Sequence, residues 1–189
     1  MEEAYYKTEA SVNEYIKLAK DVNGGQLIDE LKQHLPANAS LLELGSGPGT
    51  DWNILQKDYT TTGSDFSDEF LSHLKQQNTL GEFLKLDATT LLTDKIFDGI
   101  YANKVLHHLT DDELKASVKR QANILNPNGI ICHSFWKGEG TEVFKGMYVN
   151  YHTKTTVKKY FEPHFNILGL KFYDEFDKDD SILLIAQKK

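Results

Sequence analysis

Short apolar runs alternate with amphipathic segments along most of this chain, and that alternation constrains the fold more than any other feature. The apolar runs are nearly continuous, which is typical of strands buried on both faces of a parallel sheet. The segments between them repeat apolar residues at helical spacing. Strands that alternate with helices predict right-handed crossovers and a doubly wound α/β sheet. The predicted strands are residues 40–44, 59–64, 82–86, 97–102 and 129–135, and the predicted helices are residues 26–35, 67–77 and 110–125.

The C-terminal part of the chain departs from this alternation. Residues 165–176 and 181–187 both read as strands, and the four residues between them cannot hold a crossover helix. The two runs are therefore predicted to form an antiparallel hairpin. We expect residues 1–189 to form one domain, with residues 1–23 as a helical cover.

Charge and cysteine content indicate which ligands suit the chain. Its 21 basic and 28 acidic residues give a net charge of −7, whereas proteins that bind nucleic acids usually carry a basic face. Cys132 is the single cysteine, so neither an internal disulfide nor a thiolate metal cluster is expected, and no other metal-ligand pattern stands out. No apolar run reaches the ~20 residues that span a bilayer. We therefore expect a cytoplasmic protein, a monomer or homodimer, that binds a small molecule and neither nucleic acid nor membrane.

A glycine-rich loop follows the first predicted strand, where residues 45–50 read Gly-Ser-Gly-Pro-Gly-Thr. Such a turn from a strand into a helix lets the backbone approach a ligand closely, although a plain tight turn is the alternative. The dinucleotide pattern G-x-G-x-x-G would place its third glycine at Thr50, and Pro48 removes one N–H donor. The loop is therefore a poorer cradle for pyrophosphate than a dinucleotide-binding loop.

Acidic residues end the next two predicted strands. Asp65 lies 20 residues after Gly45, a position from which a carboxylate accepts hydrogen bonds from ribose hydroxyls in Rossmann-like folds. The alternative is that Asp65 or Ser67 caps the following helix. Asp87 ends the third strand, where a carboxylate can accept a hydrogen bond from the amine of adenine, but alone it is equally typical of a loop.

Taken in order, these motifs resemble the class I S-adenosylmethionine-dependent methyltransferases, most closely their small-molecule branch with the methyltransferase type 11 pattern. The resemblance covers residues 38–136 and the C-terminal hairpin. It implies a Rossmann-like, doubly wound sheet of seven strands, mostly parallel with an antiparallel C-terminal strand. After the fourth strand, residues 102–105 read Ala-Asn-Lys-Val, so the Asn/Asp-Pro-Pro-Tyr motif of one sub-branch is missing. The matching segments are residues 43–49, 65, 87–88, 97–100, 105–109 and 125–130.

The resemblance also implies which residues hold the cofactor, S-adenosylmethionine. Its methionine part would lie beside the glycine loop, its ribose at Asp65, and its adenine between Asp87 and Ala88. Asn103 would lie near the sulfonium, and Tyr15 in the N-terminal helix would cover the cofactor. The implied set is Tyr15, Glu43, Gly45, Ser46, Gly47, Asp65, Phe66, Asp87, Ala88 and Asn103.

The implied reaction is methyl transfer to a small-molecule acceptor by in-line displacement. The sulfonium already activates the methyl group, so the protein mainly positions the acceptor lone pair. A hydroxyl acceptor needs a general base, and His107 and His133 are the candidate catalytic residues, with His108 as a further candidate. Each has a structural alternative, which is packing in the turn before the 110–125 helix for His107 or His108 and burial in the core for His133.

Residues 136–160 combine aromatic side chains with three glycines and are predicted to form a lid on the acceptor side. The alternative is that the same aromatic side chains pack against the sheet.

Two other functions fit parts of the sequence. An NAD-dependent oxidoreductase shares the glycine loop, but Thr50 and the lack of a substrate domain argue against it. A non-catalytic module that binds S-adenosylmethionine or a protein partner would carry the same cofactor motifs, so these motifs do not separate it from an enzyme.

Overall fold

The computed structural model describes residues 22–189 together with residues 12, 14, 16 and 17. The predicted site residue Tyr15 lies outside the described residues. The helices are α1 (Gly25–Leu31), α2 (Trp52–Leu55), α3 (Asp68–Gln77), α4 (Asp111–Asn123) and α5 (Lys154–Phe161), with a 3₁₀ turn at Leu106–His108. The strands are β1 (Ser40–Leu44), β2 (Thr60–Asp65), β3 (Glu82–Lys85), β4 (Phe97–Ala102), β5 (Leu125–Trp136), β6 (Thr141–Phe144), β7 (Met147–Asn150), β8 (Phe165–Tyr173) and β9 (Ser181–Lys188).

Seven strands form the main sheet in the order β3-β2-β1-β4-β5-β9-β8. Strands β1 to β5 pair in parallel, while β9 runs antiparallel to both of its neighbours, β5 and β8. The predicted doubly wound sheet, mostly parallel with an antiparallel C-terminal strand, is confirmed. The predicted hairpin is confirmed as well, since β8 pairs with β9 from Tyr173 opposite Ser181 onward.

Helices cover both faces of the sheet because successive side chains of a buried strand point to opposite sides. Leu41 packs in one core cluster with Leu27 and Leu31 of α1, whereas its neighbour Leu42 packs in another with Leu114 of α4. All five leucines are almost fully buried. Both faces of the sheet are therefore used for packing, and its strand ends remain for ligands.

The helix starts follow their sequence signals. Thr110 and Glu113 form the predicted capping box at the start of α4, and Ser67 caps α3 by accepting a hydrogen bond from the N–H of Phe70. None of the helices in the described residues has the length and apolarity needed to cross a membrane.

The order of the strands reverses between β1 and β4, which both lie at the centre of the sheet. Leu44, the last residue of β1, is in register with Ala102, the last residue of β4. The glycine loop after Leu44 and Asn103 after Ala102 therefore emerge side by side. In open α/β sheets, such a reversal creates the crevice in which ligands bind.

The segment between β5 and β8 is more ordered than a loop. Strands β6 and β7 form a separate two-stranded antiparallel sheet, and α5 follows with Thr153 as its cap. Strand β6 is exposed along its whole length, while the end of β7 is buried.

Candidate active site

Glycine is required in the loop after β1 by both its backbone conformation and its surroundings. The φ angles of Gly45, Gly47 and Gly49 are 62°, 48° and 85°, in the left-handed region that side chains disfavour. A Cβ atom on Gly45 would lie 2.5 Å from Cγ2 of Val105, and one on Gly49 would lie 2.7 Å from a Leu74 methyl carbon. The loop therefore packs tightly against the chain that follows β4 and against α3.

Three N–H groups of this loop already donate hydrogen bonds inside the protein. Ser46 donates to the carbonyl of Ser64 at 2.8 Å, and Gly49 donates to the carbonyl of Ser46 at 2.8 Å. The N–H of Gly47 donates to Oδ2 of Asp65 at 3.0 Å, and Pro48 has no N–H. A pyrophosphate would find these donors occupied.

Two buried carboxylates lie beside the loop. Glu43 is 3% exposed, and its Oε2 atom has no hydrogen-bond partner among the described residues. Asp51 accepts hydrogen bonds from the N–H of Gly24 at 2.6 Å, the hydroxyl of Tyr101 at 2.7 Å and the amide of Asn103 at 3.1 Å. Burial, and then the charge of Asp51, raise the pKa of Glu43 from 4.5 to about 8. The Oε2 atom of Glu43, left without a partner in this environment, favours a cationic group beside it.

Asp65 serves the helix-start role that its sequence position allowed, and it also holds the glycine loop. Its Oδ1 accepts from the N–H of Ser67 at 2.9 Å at the start of α3, while Oδ2 accepts from Gly47. Burial raises the pKa of Asp65, although these backbone hydrogen bonds oppose the rise. Each carboxylate oxygen has two lone pairs, so Asp65 keeps capacity to accept further hydrogen bonds.

The residues predicted to flank adenine, Asp87 and Ala88, follow β3, and the predicted cofactor residue Phe66 follows β2. All three lie outside the cavity beside the loop. Phe66 is 59% exposed, Asp87 is exposed and Ala88 is half-buried. Oδ1 of Asp87 accepts from the N–H groups of Thr89 and Thr90 at 2.6 and 3.3 Å. These side chains border an open edge of the sheet.

A cavity of about 320 Å³ opens at the strand reversal and has two walls of different character. The first, which we call the glycine wall, consists of Glu43, Gly45, Ser46, Gly47 and Asp51. The second, which we call the aromatic wall, consists of Lys104, Trp136, Phe144, Met147, Glu175 and Phe176. Asn103 lies between the walls, where its amide oxygen accepts from the hydroxyl of Ser134 at 2.6 Å.

An ion pair stabilises the aromatic wall. Nζ of Lys104 donates to Glu175 at 3.2 Å and to the hydroxyl of Ser181 at 2.6 Å, and it lies 3.5 Å from the ring centre of Trp136. The side chains of Lys104 and Glu175 are only 12% and 9% exposed. Trp136 also stacks with Phe176, with ring centres 5.9 Å apart and planes inclined by 24°.

Residues 41–129 match the family model described as a methyltransferase domain. Over these 89 of its 189 residues the chain resembles a methyltransferase domain. The predicted methyltransferase is therefore confirmed, and no curated protein sequence matches the chain significantly.

Solved structures share the fold of the methyltransferase domain. An S-adenosylmethionine-dependent methyltransferase from Clostridium acetobutylicum ATCC 824 is 17% identical with a TM-score of 0.76, and the match covers 93% of this chain and 96% of that one. For 1,6-didemethyltoxoflavin-N1-methyltransferase from Burkholderia thailandensis the identity is 18%, the TM-score 0.81 and the coverage 95% and 84%. For the N-methyltransferase NodS from Bradyrhizobium japonicum WM9 they are 14%, 0.77, and 98% and 99%. The latter two were solved with S-adenosylhomocysteine, in agreement with the predicted S-adenosylmethionine cofactor.

The two predicted catalytic histidines lie in the protein interior. His107 is 3% exposed, with its ring centre 6.4 Å from that of Trp136 and no partner for its Nδ1 atom among the described residues. His133 is fully buried, and its Nε2 atom lies 2.7 Å from the amide oxygen of Gln121. Burial lowers the pKa of His107 well below its usual range and that of His133 to about 3. Neither side chain lines the cavity. The position of His133 agrees with the alternative given for it, which is burial in the core.

Three residues that line the cavity, Asp51, Lys104 and Glu175, are not among the predicted site residues. Asp51 carries a local signal, because it lies two residues after Gly49 at the start of α2. Lys104 and Glu175 are 71 residues apart, so no local pattern pairs them. Among the residues that the structure describes, no three His, Cys, Asp or Glu side chains form a candidate metal site.

Proposed function

We propose that this chain transfers the methyl group of S-adenosylmethionine to a small-molecule acceptor, and that nitrogen acceptors are the first class to test. Three solved structures with this fold are named as N-methyltransferases, of 1,6-didemethyltoxoflavin, of a glycopeptide and, for NodS, without a named acceptor.

One observation carries the proposal, which is the buried Oε2 atom of Glu43 without a partner among the described residues. A buried polar atom left unpaired costs about 1–3 kcal/mol, so a ligand that supplies a donor there gains affinity. S-adenosylmethionine carries an ammonium and a sulfonium. At the glycine wall, Asp51 offers it negative charge, and Glu43 does so once a cation beside it displaces the proton of Glu43. The residues present therefore fit this cofactor.

The same groups disfavour a dinucleotide. Pyrophosphate needs free N–H donors and a positive potential, whereas the loop donors of Ser46, Gly47 and Gly49 are occupied. Glu43 and Asp51 also place acidic groups beside the loop. This arrangement supports S-adenosylmethionine over NAD.

Each predicted cofactor residue receives a role in this proposal. Glu43 and the loop residues Gly45, Ser46 and Gly47 hold the methionine part. Asp65 accepts hydrogen bonds from the ribose, and the exposed ring of Phe66 covers adenine. Asp87 and Ala88 flank adenine at the end of β3, Asn103 lies near the sulfonium, and Tyr15 belongs to the cover.

When bound, S-adenosylmethionine supplies a methyl group that its sulfonium already activates. The protein then has to bind, orient and exclude water, which is the task that the two walls share. Asn103 sits where the walls meet, with its amide fixed by Asp51 and Ser134. We assign His107 and His133 structural roles, because both are buried away from the cavity lining.

The predicted cover and lid are also part of the proposal. Phe144, Lys145 and Met147 of the 136–160 segment line the cavity. Nζ of Lys145 lies 3.3 Å from Oε1 of Glu14, so the lid contacts the 1–23 segment. One domain over residues 1–189, a cytoplasmic location and a monomer or homodimer stay predictions.

Calorimetric titration with S-adenosylhomocysteine, S-adenosylmethionine and NAD tests the cofactor. We expect micromolar binding of the two sulfur nucleosides and none of NAD, and the reverse pattern would refute the proposal. Transfer of a labelled methyl group to a panel of small nitrogen acceptors, both aliphatic amines and flat heteroaromatic bases, then tests catalysis. Binding of S-adenosylhomocysteine with no transfer to any acceptor would favour the non-catalytic module.

A further inference from the structure

We infer that the acceptor is a flat, uncharged aromatic or heteroaromatic molecule that stacks against Trp136 and Phe176 of the aromatic wall. This inference rests on the proposed function, because it names the class of acceptor for the same cavity.

Large apolar side chains from three separate segments meet at the aromatic wall. Trp136 ends β5, Phe144 and Met147 flank the turn between β6 and β7, and Phe176 lies in the loop between β8 and β9. Phe144 and Phe176 are 55% and 68% exposed. Exposed apolar surface that rims a cavity is typical of ligand-binding sites, because a ligand that covers it removes that surface from water.

The geometry of the rings favours a flat ligand over a bulky one. Trp136 and Phe176 form an offset stack, the arrangement that aromatic pairs prefer. Lys104 contacts the face of Trp136 and fixes the indole ring, whereas the exposed ring of Phe176 leaves room for a further stacked ring. An aromatic acceptor extends this stack from the exposed ring of Phe176 without disturbing the ion pair beneath.

The charges of the wall already have partners. The ammonium of Lys104 is used by Glu175, by Ser181 and by the face of Trp136. Glu175 Oε2 also accepts from the hydroxyl of Tyr173 at 2.6 Å. A charged acceptor would have to lose its hydration water at this wall without gaining a free counter-charge, or it would have to break the ion pair of Lys104 and Glu175. Both are costly.

The remaining charges that line the cavity lead to the same conclusion. Lys145 pairs with Glu14 at 3.3 Å at the mouth of the cavity. Glu43 and Asp51 belong to the glycine wall, where they face the cationic groups of the cofactor, and Asp51 repels an anion. An uncharged acceptor avoids each of these penalties.

Three small probes of matched size test the inference in protein saturated with S-adenosylhomocysteine. Benzamide is flat and neutral, cyclohexanecarboxamide is neutral but saturated, and benzoate is flat but anionic. Binding is followed by tryptophan emission, and Trp136→Phe should remove the response, because Trp52 is the only other tryptophan and is buried against Phe83.

We expect benzamide to bind roughly two- to tenfold more tightly than cyclohexanecarboxamide, the range that aromatic stacking contributes. Benzoate should bind more weakly than benzamide. Phe176→Ala should remove the preference for the flat amide, while Phe172→Ala should keep it. Phe172 is the matched control, because it is a partly exposed phenylalanine of β8 whose ring contacts Lys137 and Lys154 and not the cavity.

Equal affinity for the two amides, tightest binding of benzoate, or the same result for both alanine variants would overturn the inference. If S-adenosylhomocysteine binds but none of the probes does, the acceptor class is wrong and the proposed function stands. If S-adenosylhomocysteine itself does not bind, the proposed function fails, and this inference fails with it.

Discussion

The glycine wall and the aromatic wall line one cavity but are built in different ways. The five residues of the glycine wall all lie within the stretch 43–51, and the N–H groups of Ser46 and Gly47 and the carboxylate of Asp51 are already hydrogen-bonded inside the protein. The aromatic wall joins side chains far apart in the sequence, and Phe144 and Phe176 are more than half exposed. One side of the cavity is thus formed by a rigid local motif, whereas the other is an assembled and adaptable surface.

This contrast fits a division of labour. A cofactor shared by many enzymes can be held by the same short loop at the end of a central strand. An acceptor differs from one enzyme to the next, and loops that are supported by a rigid sheet can vary without loss of the fold. Substitutions in the two walls should therefore have separable effects on cofactor affinity.

The largest effect is expected at Gly45. In Gly45→Ala the new Cβ would adopt a disfavoured φ and collide with Val105, so we expect the free energy of unfolding to fall by about 2–4 kcal/mol. Binding of S-adenosylhomocysteine should be lost, as measured by calorimetry beside a denaturation curve.

Gly140→Ala is the matched control, because Gly140 also has a positive φ, 82°, but nothing lies within 4 Å of its added Cβ. This variant should lose only about 1–2 kcal/mol and keep its cofactor affinity. Equal losses in the two variants would show that packing against Val105 does not matter.

A pH-dependent cofactor affinity is expected from Glu43. Its pKa of about 8 lies above the ordinary 4.5, so the folded protein holds a proton there at neutral pH. A cationic ligand favours the ionised form, and binding then releases this proton. Affinity for S-adenosylhomocysteine should rise by up to about tenfold per pH unit as the pH approaches about 8, and then level off.

The raised pKa of Glu43 also makes the stability of the fold depend on pH. Relative to the unfolded chain, Glu43 stabilises the fold below pH 4.5, and this contribution is lost as pH rises toward about 8. Glu43→Gln removes the titrating group and should flatten both profiles. An unchanged pH dependence in Glu43→Gln would assign it to another group.

A moderate effect is expected at Asp65. Asp65→Ala should weaken S-adenosylhomocysteine binding by about 1–3 kcal/mol, because it removes hydrogen bonds to the ribose and to Gly47. Asp68→Ala, at an exposed acid three residues later in α3, is the control and should leave the affinity unchanged. If Asp65→Ala binds as tightly as the wild type, Asp65 serves only the loop and the helix start.

The smallest effect on cofactor affinity is expected at His107. Because His107 is buried away from the cavity lining, His107→Ala should change S-adenosylhomocysteine affinity by less than about twofold. The unfolding free energy should instead fall by about 1–3 kcal/mol, the usual range for truncating a buried side chain. A large loss of affinity with unchanged stability would return His107 to the site.

Much of the fold and half of the site could be predicted because their signals are local. Strand β1 was predicted with the same bounds as observed, and the capping box at Thr110 and Glu113 marks the start of α4 in the sequence itself. Strand β5 is longer than predicted, since it also includes Leu125 to Asn128 around Pro127. Residues 141–150 form a two-stranded sheet that the aromatic and glycine pattern did not reveal.

Local sequence is enough to predict the alternation of strands and helices, the glycine loop and the acids that follow β2 and β3. Those features depend on side-chain periodicity and on backbone angles that only glycine adopts readily, and both are properties of neighbouring residues. Two other features are visible only in the folded chain. His133 faces Gln121 in the core, and Lys104 pairs with Glu175 beside Trp136. Such contacts join distant segments, and they form because burial leaves each polar group to find a partner across the fold.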